Sequence, residues 1–158
     1  MKNLEMQVEA LMRLCTAEKE SDRQKARSEI LRLMMPGKAE VDPEDLIREI
    51  LLELGAPENL QGHPYMVEAI LLVVEDRTYI DNITFGLYPQ VAARFDTTAA
   101  RVERSLRHLL EVTWNRGDWS ILQRYFGNTV SAYKGKPTNS EFIARIANVV
   151  KQRMKEAA

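Results

Sequence analysis

One segment of the sequence carries cations and apolar residues on opposite faces of a predicted helix. At about 100° per residue, the basic side chains on one face are Arg101, Arg104, Arg107 and His108. The opposite face is apolar and consists of Ala99, Val102, Leu106, Leu109, Leu110 and Thr113. One face can therefore pack on a core while the other presents guanidinium groups to a polyanion, because arginine binds phosphates and guanine edges with paired hydrogen bonds.

The residues before this helix predict how it is positioned. A short helix is predicted over residues 88–95, with Val91 and the small Ala92 where two helices cross closely and Phe95 closing the helix against the core. A short helix, a tight turn and a longer amphipathic helix together predict a helix-turn-helix, whose second helix, about residues 98–116, lies in a DNA major groove. A solvated charged face on an ordinary surface helix would show the same periodicity.

The predicted turn is polar and reads Asp96-Thr97-Thr98. Its side-chain oxygens can cap the helix that follows. Asp96 stands where many helix-turn-helix proteins have glycine in a left-handed conformation, and Thr97 stands where they have an aliphatic residue. Since aspartate tolerates the left-handed region better than most residues, these departures weaken the motif without removing it.

The two halves of the chain carry opposite net charge, although the whole chain has a formal charge of −1. Of the 22 Lys+Arg and 23 Asp+Glu, residues 83–158 hold 12 and 6, whereas residues 1–82 hold 10 and 17. The excess of cations places any phosphate-binding surface in the second half.

A second candidate phosphate site precedes the last predicted helix. Lys134 and Lys136 lie just before the capping box Thr138-Asn139-Ser140-Glu141. The free N–H groups of a helix N-terminus bind phosphate readily, so we interpret this loop as a clamp on the DNA backbone. It is not a P-loop, because Pro137 follows the lysine where Ser or Thr is required. A solvated loop before a well-capped helix is the alternative.

The remaining segments also predict helices, since apolar residues recur at helical spacing and no run alternates strictly. We expect an all-α fold: residues 41–158 form a compact helix-turn-helix domain of about six helices. Residues 1–40 form a helical hairpin or one long helix before it, with Leu4, Val8 and Leu11 on its apolar stripe. Such short helices are not stable alone, so they must bury this stripe on the main domain or on another copy.

Metal binding finds little support in the sequence. Cys15 is the only cysteine, so a zinc cluster of thiolates is excluded. The acidic residues Asp42, Glu44, Asp45 and Glu49 could bind a cation, but an N-cap and first-turn acids around Pro43 explain them better. We expect neither a metal nor another cofactor.

An enzyme or a membrane protein is not expected either. His63, beside Pro64 at the start of a predicted helix, is expected to be a cap or surface residue, because no nucleophile or orienting carboxylate accompanies it. No catalytic motif or site for a small-molecule substrate is evident. The longest apolar run, Ala69–Val74, is far shorter than the roughly 20 residues of a membrane span. We expect a cytoplasmic protein.

Two longer segments resemble a known family. TTAARVERSLRHLLEVTWNRG, from residue 97, and FGNTVSAYKGKPTNSEFIARIA, from residue 126, are similar to the C-terminal effector domain of stage-zero sporulation protein A. That protein is the response regulator that commits spore-forming Firmicutes to sporulation, and the similarity extends over about residues 47–151. The resemblance implies a domain of six helices that binds a TGTCGAA-like box in the major groove, with contacts between copies on tandem boxes.

The resemblance also implies a role for each polar residue of the candidate interface. The expected base-reading residues are Glu103, Arg104, Arg107 and His108. The expected phosphate-binding residues are Arg101, Lys134, Lys136, Thr138 and Ser140. This division agrees with the chemistry of the groups, since arginine recognises guanine and glutamate accepts from cytosine N4, whereas lysines and helix N–H groups fix the register on phosphates.

We therefore expect a sequence-specific transcription regulator that binds double-stranded DNA as a homodimer or as tandem copies. The family's full-length regulator carries a receiver domain, for which residues 1–45 are too short and too uniformly helical. The N-terminal helices are hypothesised to replace it as a fixed dimerisation or partner-binding element, or else to pack on their own domain. The alternative function is an interaction module that titrates a homologous regulator without binding DNA.

Overall fold

The computed structural model describes residues 2–14, 20–34, 40–127 and 135–157, which form helices and contain no strand. The α-helices are α1 (Lys2–Leu14), α2 (Glu20–Met34), α3 (Pro43–Glu53), α4 (Gly62–Glu75), α5 (Tyr88–Arg94), α6 (Ala99–Arg116), α7 (Trp119–Phe126) and α8 (Asn139–Ala157). Between α4 and α5 the chain forms a 3-10 helix, Arg77–Asn82, and a π-helical turn, Ile83–Leu87. The expected all-α fold is confirmed.

The chain divides into two compact units, Met1–Glu40 and Val41–Ala158. In the first unit, α1 and α2 pack against each other as a helical hairpin. Its exposed large apolar side chains include Met6, Met12, Leu31 and Met34. Cys15 lies outside the described residues, as do the side chains of Leu4 and Leu11. This hairpin therefore retains apolar surface that is open to solvent.

The second unit is built around α4, which packs on α3, α6 and α8. Because it has neighbours on several sides, α4 is apolar around most of its circumference. Its buried residues are Gly62, His63, Tyr65, Met66, Val67, Ala69, Ile70, Leu72 and Val73. Within the described ranges, no helix is long and apolar enough to cross a membrane.

α4 and α6 approach each other closely at Gly62. A Cβ atom at this position would lie 2.3 Å from the backbone oxygen of Ser105 and 2.9 Å from the Cβ of Leu109, both in α6. These distances are shorter than any van der Waals contact, so only glycine allows the two helices to pack this closely. The first turn of α4 therefore fixes the depth at which α6 is seated.

The far end of α6 is held by an aromatic cluster. Trp114 meets the ring of Phe126 edge-on, with 5.2 Å between ring centroids. Phe126 in turn stacks on Phe142 of α8 at 5.1 Å. Aromatic pairs in these geometries contribute about 0.5–1.5 kcal/mol beyond the burial of their area. The cluster joins α6, α7 and α8.

Asp42 caps the start of α3. The Asp42 carboxylate accepts a hydrogen bond of 2.9 Å from the backbone N–H of Glu44, and Glu44 forms an ion pair with Arg48 at 2.8 Å. Among the residues with described positions, no group of three or more His, Cys, Asp or Glu side chains could hold a metal ion. Gly55 ends the helix with a φ of +82°, a conformation that favours glycine.

His63 is buried, and the expectation that it is a cap or surface residue is wrong. Only 3% of the residue is exposed, because the first turn of α4 is packed into the domain instead of projecting into solvent. Burial lowers the pKa of the imidazole, with a smaller opposing effect from Glu58 and a smaller lowering from Arg48. Among the residues that the structure describes, none is a hydrogen-bond partner of the Nε2 atom. The native state therefore favours the neutral imidazole.

We expect this buried histidine to make the stability of the domain depend on pH. An unfolded histidine has a pKa of about 6.5, so protons bind the unfolded state preferentially as the pH falls through that value. The free energy of unfolding should therefore decrease between about pH 7.5 and about pH 5.5. Urea unfolding of His63→Gln over this range should show a shallower decrease than the wild type.

His108→Gln is the matched control for this experiment. His108 lies on the exposed face of α6, so its removal should leave the wild-type pH dependence in place. Equal slopes for the wild type and His63→Gln would contradict the proposed origin of the pH dependence.

Candidate nucleic-acid interface

The turn between α5 and α6 has the backbone conformation that stops one helix and starts the next. Asp96 has a φ of +50°, in the left-handed region as expected. The N–H of Thr97 donates to the backbone oxygen of Ala92 at 3.0 Å, which is the long bond of a Schellman motif. The Thr98 hydroxyl then accepts from the N–H of Arg101 at 3.3 Å and caps α6.

The two residues expected to pack α5 against its neighbour are buried, and Phe95 lies at the edge of the core. Val91 is fully buried and Ala92 nearly so. Phe95 is 37% exposed, but its ring meets that of the buried Tyr65 edge-on at 5.0 Å. Phe95 is the C-cap residue of α5, and it packs at the edge of the core and not inside it.

The two faces of α6 lie as the sequence predicts. Val102, Leu106, Leu109, Leu110 and Thr113 are buried, and Ala99 is partly buried. The Thr113 hydroxyl is satisfied by donating to the backbone oxygen of Leu109 at 2.7 Å. The four cations of the opposite face, Arg101, Arg104, Arg107 and His108, are exposed. Core packing therefore determines which side chains α6 presents to solvent.

Two of the candidate cations form ion pairs with acidic residues of α6. Arg107 Nη2 donates to both carboxylate oxygens of Glu103 at 2.6 Å. Lys136 Nζ lies 3.3 Å from the carboxylate of Glu111, two turns further along the same face. Exposed pairs of this kind contribute about 0–1 kcal/mol each, so a stronger anionic partner can displace them at small cost.

A cleft of about 480 Å³ lies between α6 and the start of α8. Its lining residues are Tyr88, Glu103, Arg107, Leu110, Lys136, Pro137, Thr138, Asn139 and Ser140. Two of the predicted base-reading residues and three of the predicted phosphate-binding residues thus share one concave surface. Lys134 lies outside the described residues.

The other candidates lie elsewhere on the exposed face of α6. Arg101 and Arg104 line a second cleft of about 400 Å³, next to the turn and to Phe95. His108 lines neither cleft. The predicted residues of α6 are therefore distributed over one helix face and contribute to two separate clefts.

The start of α8 is capped as predicted. The Thr138 hydroxyl accepts from the N–H of Glu141 at 3.2 Å, and the Thr138 backbone oxygen accepts from Phe142 at 3.0 Å. Thr138 and Ser140 are exposed beside the cleft. The N–H groups of Asn139 and Ser140, also in the first turn, have no acceptor within the helix, and such groups can bind an anion.

Asn139 is a residue of this site that the sequence did not single out. Its side-chain Nδ2 donates to the hydroxyl of Tyr88 and to the backbone oxygen of Glu103, both at 3.2 Å. An asparagine inside a capping box is expected to serve its own helix, so its sequence position gave no indication of these partners. It connects the starts of α5 and α8 with the middle of α6.

The structure has the parts of a helix-turn-helix domain. These are a short helix, a turn closed by a left-handed residue, and a longer helix with an exposed cationic face. Residues 47–150 match the family described as "Sporulation initiation factor Spo0A C terminal". The match covers more than half of the chain, and the chain belongs to this family. It is a family of DNA-binding effector domains of a sporulation regulator, not a class of enzymes. The resemblance seen in the sequence is confirmed.

The conformation of the turn can be tested at Asp96. Glycine adopts a positive φ without the steric cost that a Cβ carries, whereas alanine has neither this freedom nor the tolerance of aspartate. Asp96→Gly should therefore be at least as stable as the wild type, and Asp96→Ala should be less stable than Asp96→Gly by about 1 kcal/mol. Urea unfolding measures both differences.

Ala100→Gly is the control, because Ala100 is exposed in the first turn of α6. There the order of stability reverses, and glycine should be less stable than alanine by about 0.5–1 kcal/mol. If Asp96→Ala matched Asp96→Gly in stability, the left-handed turn would not exist in solution.

Proposed function

We propose that this protein is a sequence-specific transcription regulator that inserts α6 into the DNA major groove. The observation that carries the proposal is the row of exposed cations on a helix whose other face is fixed in the core. Membership in a DNA-binding family supports double-stranded DNA as the partner. No observation on the described residues favours the alternative of an interaction module that does not bind DNA.

Base reading is assigned to Glu103, Arg104, Arg107 and His108. In the free protein, Arg107 is paired with Glu103. On a matching sequence both groups exchange this partner for a base, since arginine donates to guanine O6 and N7 while glutamate accepts from cytosine N4. On a non-matching sequence the pair is broken without replacement. This loss adds discrimination against incorrect sites.

Phosphate binding is assigned to Arg101, Lys134, Lys136, Thr138 and Ser140. Thr138 caps α8 and Ser140 lies in its first turn, and both residues line the same cleft as Glu103 and Arg107 of α6. Such groups contact the DNA backbone of any sequence and set the register in which α6 meets the bases. Lys136 exchanges the carboxylate of Glu111 for a phosphate in this arrangement.

We also propose that the hairpin of α1 and α2 joins two copies of the chain. Met6, Met12, Leu31 and Met34 are each more than half exposed. A hairpin of this size cannot form a sufficient core of its own, and pairing with a second hairpin would bury these side chains. Two linked copies would then bind tandem boxes at a raised effective concentration.

The division of roles predicts different effects for Arg107→Ala and Lys136→Ala. Losing Arg107 should weaken binding to a TGTCGAA-containing duplex by about 1–3 kcal/mol and relax the preference at one base pair. Losing Lys136 should weaken binding to all duplexes alike and reduce the slope of log K against log salt concentration by about 1. Fluorescence anisotropy with matched and scrambled duplexes at several salt concentrations measures both effects.

Arg48→Ala is a control for charge, because Arg48 pairs with Glu44 on α3. It should change neither affinity nor salt dependence appreciably. The same change in specificity and salt slope for Arg107→Ala and Lys136→Ala would show that their roles are assigned incorrectly.

The pairing of hairpins predicts a concentration-dependent mass in sedimentation equilibrium. Replacing both Leu31 and Met34 with glutamate in the full chain should shift the protein to monomer, because burying two carboxylates in an apolar interface is unfavourable. Gln24→Glu, at an exposed polar position of α2, should leave the association unchanged. A wild type that stays monomeric at all concentrations would exclude the proposed pairing.

A further inference from the structure

We propose that Asn139 is a positioning residue that fixes the phosphate-binding end of α8 to the base-reading helix α6. The inference rests on the proposed function and adds a residue to it. Asn139 reads no base and binds no phosphate in this scheme. It determines the spacing between the groups that do.

The two hydrogen bonds of Asn139 join parts of the protein to each other at the wall of the cleft between α6 and α8. The Glu103 backbone oxygen can only accept, so the amide nitrogen and not the amide oxygen must face it. The second hydrogen of the same NH₂ group is directed to the Tyr88 hydroxyl. Asn139 is partly buried and Tyr88 is buried, so water competes little for these bonds and their geometry is retained.

The position of each partner explains why these bonds matter. The two hydrogen bonds of Asn139, to Tyr88 and Glu103, are called the Asn139 bridge here. Because the side chain of Glu103 pairs with Arg107, the bridge ends on the turn of α6 that carries the proposed base-reading pair. Tyr88 is the first residue of α5, the other helix of the helix-turn-helix. Burial raises the pKa of its phenol, which keeps the hydroxyl neutral. The side-chain amide of Asn139 thus connects the first turn of α8, the proposed phosphate-binding element, with both α5 and α6.

The neighbours of Asn139 are more exposed than it is. Thr138 and Ser140 are exposed, while Asn139 between them is half-buried and donates to the backbone oxygen of Glu103. The ion pair between Glu111 of α6 and Lys136, which precedes α8, must open when the lysine binds a phosphate. The Asn139 bridge can persist in the DNA complex, and it therefore holds the two binding elements together when that ion pair is lost.

A fixed spacing makes the two sets of DNA contacts depend on each other. With the bridge intact, a base contact by α6 brings Lys136 to a phosphate with no further loss of freedom. Without the bridge, each phosphate contact must also order the start of α8, which offsets its benefit. The contribution of Lys136 should therefore depend on Asn139, which is the coupling that a double-mutant cycle measures.

The test compares Asn139→Ala, Lys136→Ala and the double variant in anisotropy titrations of a TGTCGAA-containing duplex. Asn139→Ala should weaken binding about tenfold, as expected for two lost hydrogen bonds. It should also reduce the salt slope by up to about 1, although it removes no charge. Lys136→Ala should weaken the wild type several-fold but the Asn139→Ala variant by less than about twofold.

Tyr88→Phe separates positioning from direct contact. It removes one acceptor of the bridge and leaves Asn139 free to touch DNA, so it should reproduce part of the loss of affinity and of the coupling to Lys136. Circular dichroism and urea unfolding would reveal whether Asn139→Ala folds. If it does not, Tyr88→Phe replaces it in the double-mutant cycle with Lys136→Ala. A silent Tyr88→Phe beside an impaired Asn139→Ala would overturn the inference, since Asn139 would then contact DNA itself.

Two failures remain distinguishable. If the wild type binds the duplex but the effects of Asn139→Ala and Lys136→Ala simply multiply, with an unchanged salt slope, then Asn139 is not a positioning residue. If the wild type does not bind duplex DNA of any sequence, the proposed function falls, and the role of Asn139 falls with it.

Discussion

The burial of one face of α6 against α4 is the constraint on which the whole site depends. At Gly62 the middle of α6 is so close to α4 that no side chain fits between them, and near the C-terminus of α6 the aromatic rings of α7 and α8 pack on Trp114 and its neighbours. A helix held at two places along its length cannot rotate about its axis. The direction of its cations is therefore a consequence of core packing, and the surface residues need only be exposed and of the correct chemistry.

The electrostatics of the site follow from this rigidity. Glu103 and Arg107 are one turn apart on a fixed helix and therefore form an ion pair. Glu111, also on α6, forms a second ion pair with Lys136, which precedes α8. The exposed acidic residues lower the attraction of the surface for any polyanion, while the pairs are weak enough to be exchanged. In the proposed complex, a site of this kind would favour DNA that offers replacement partners for both charges of a pair. It would thereby gain selectivity that an unopposed row of cations would lack.

The sequence predicts those parts of the structure that depend on local periodicity and local hydrogen bonds. The two faces of α6, the left-handed Asp96 and the cap at Thr98 are properties of a few consecutive residues, and all of them are observed. The burial of His63 was not predicted, because it depends on the close packing of α4 and α6 at the neighbouring glycine. Gly62 itself was not recognised, since a glycine at a helix start has several local explanations.

Asn139 shows the same limit at the functional site. Its two acceptors lie 51 and 36 residues away in the sequence, and nothing about an asparagine at a helix start indicates such partners. Periodicity identifies which residues of α6 face solvent, but not the bonds that set the distance between them and the start of α8. A helix that reads bases and a turn that binds phosphates are each common, and specificity requires that both be satisfied in one register. In the proposed arrangement the residues that enforce this register bond to other parts of the protein, so they are found from side-chain geometry and not from the pattern of exposed charge.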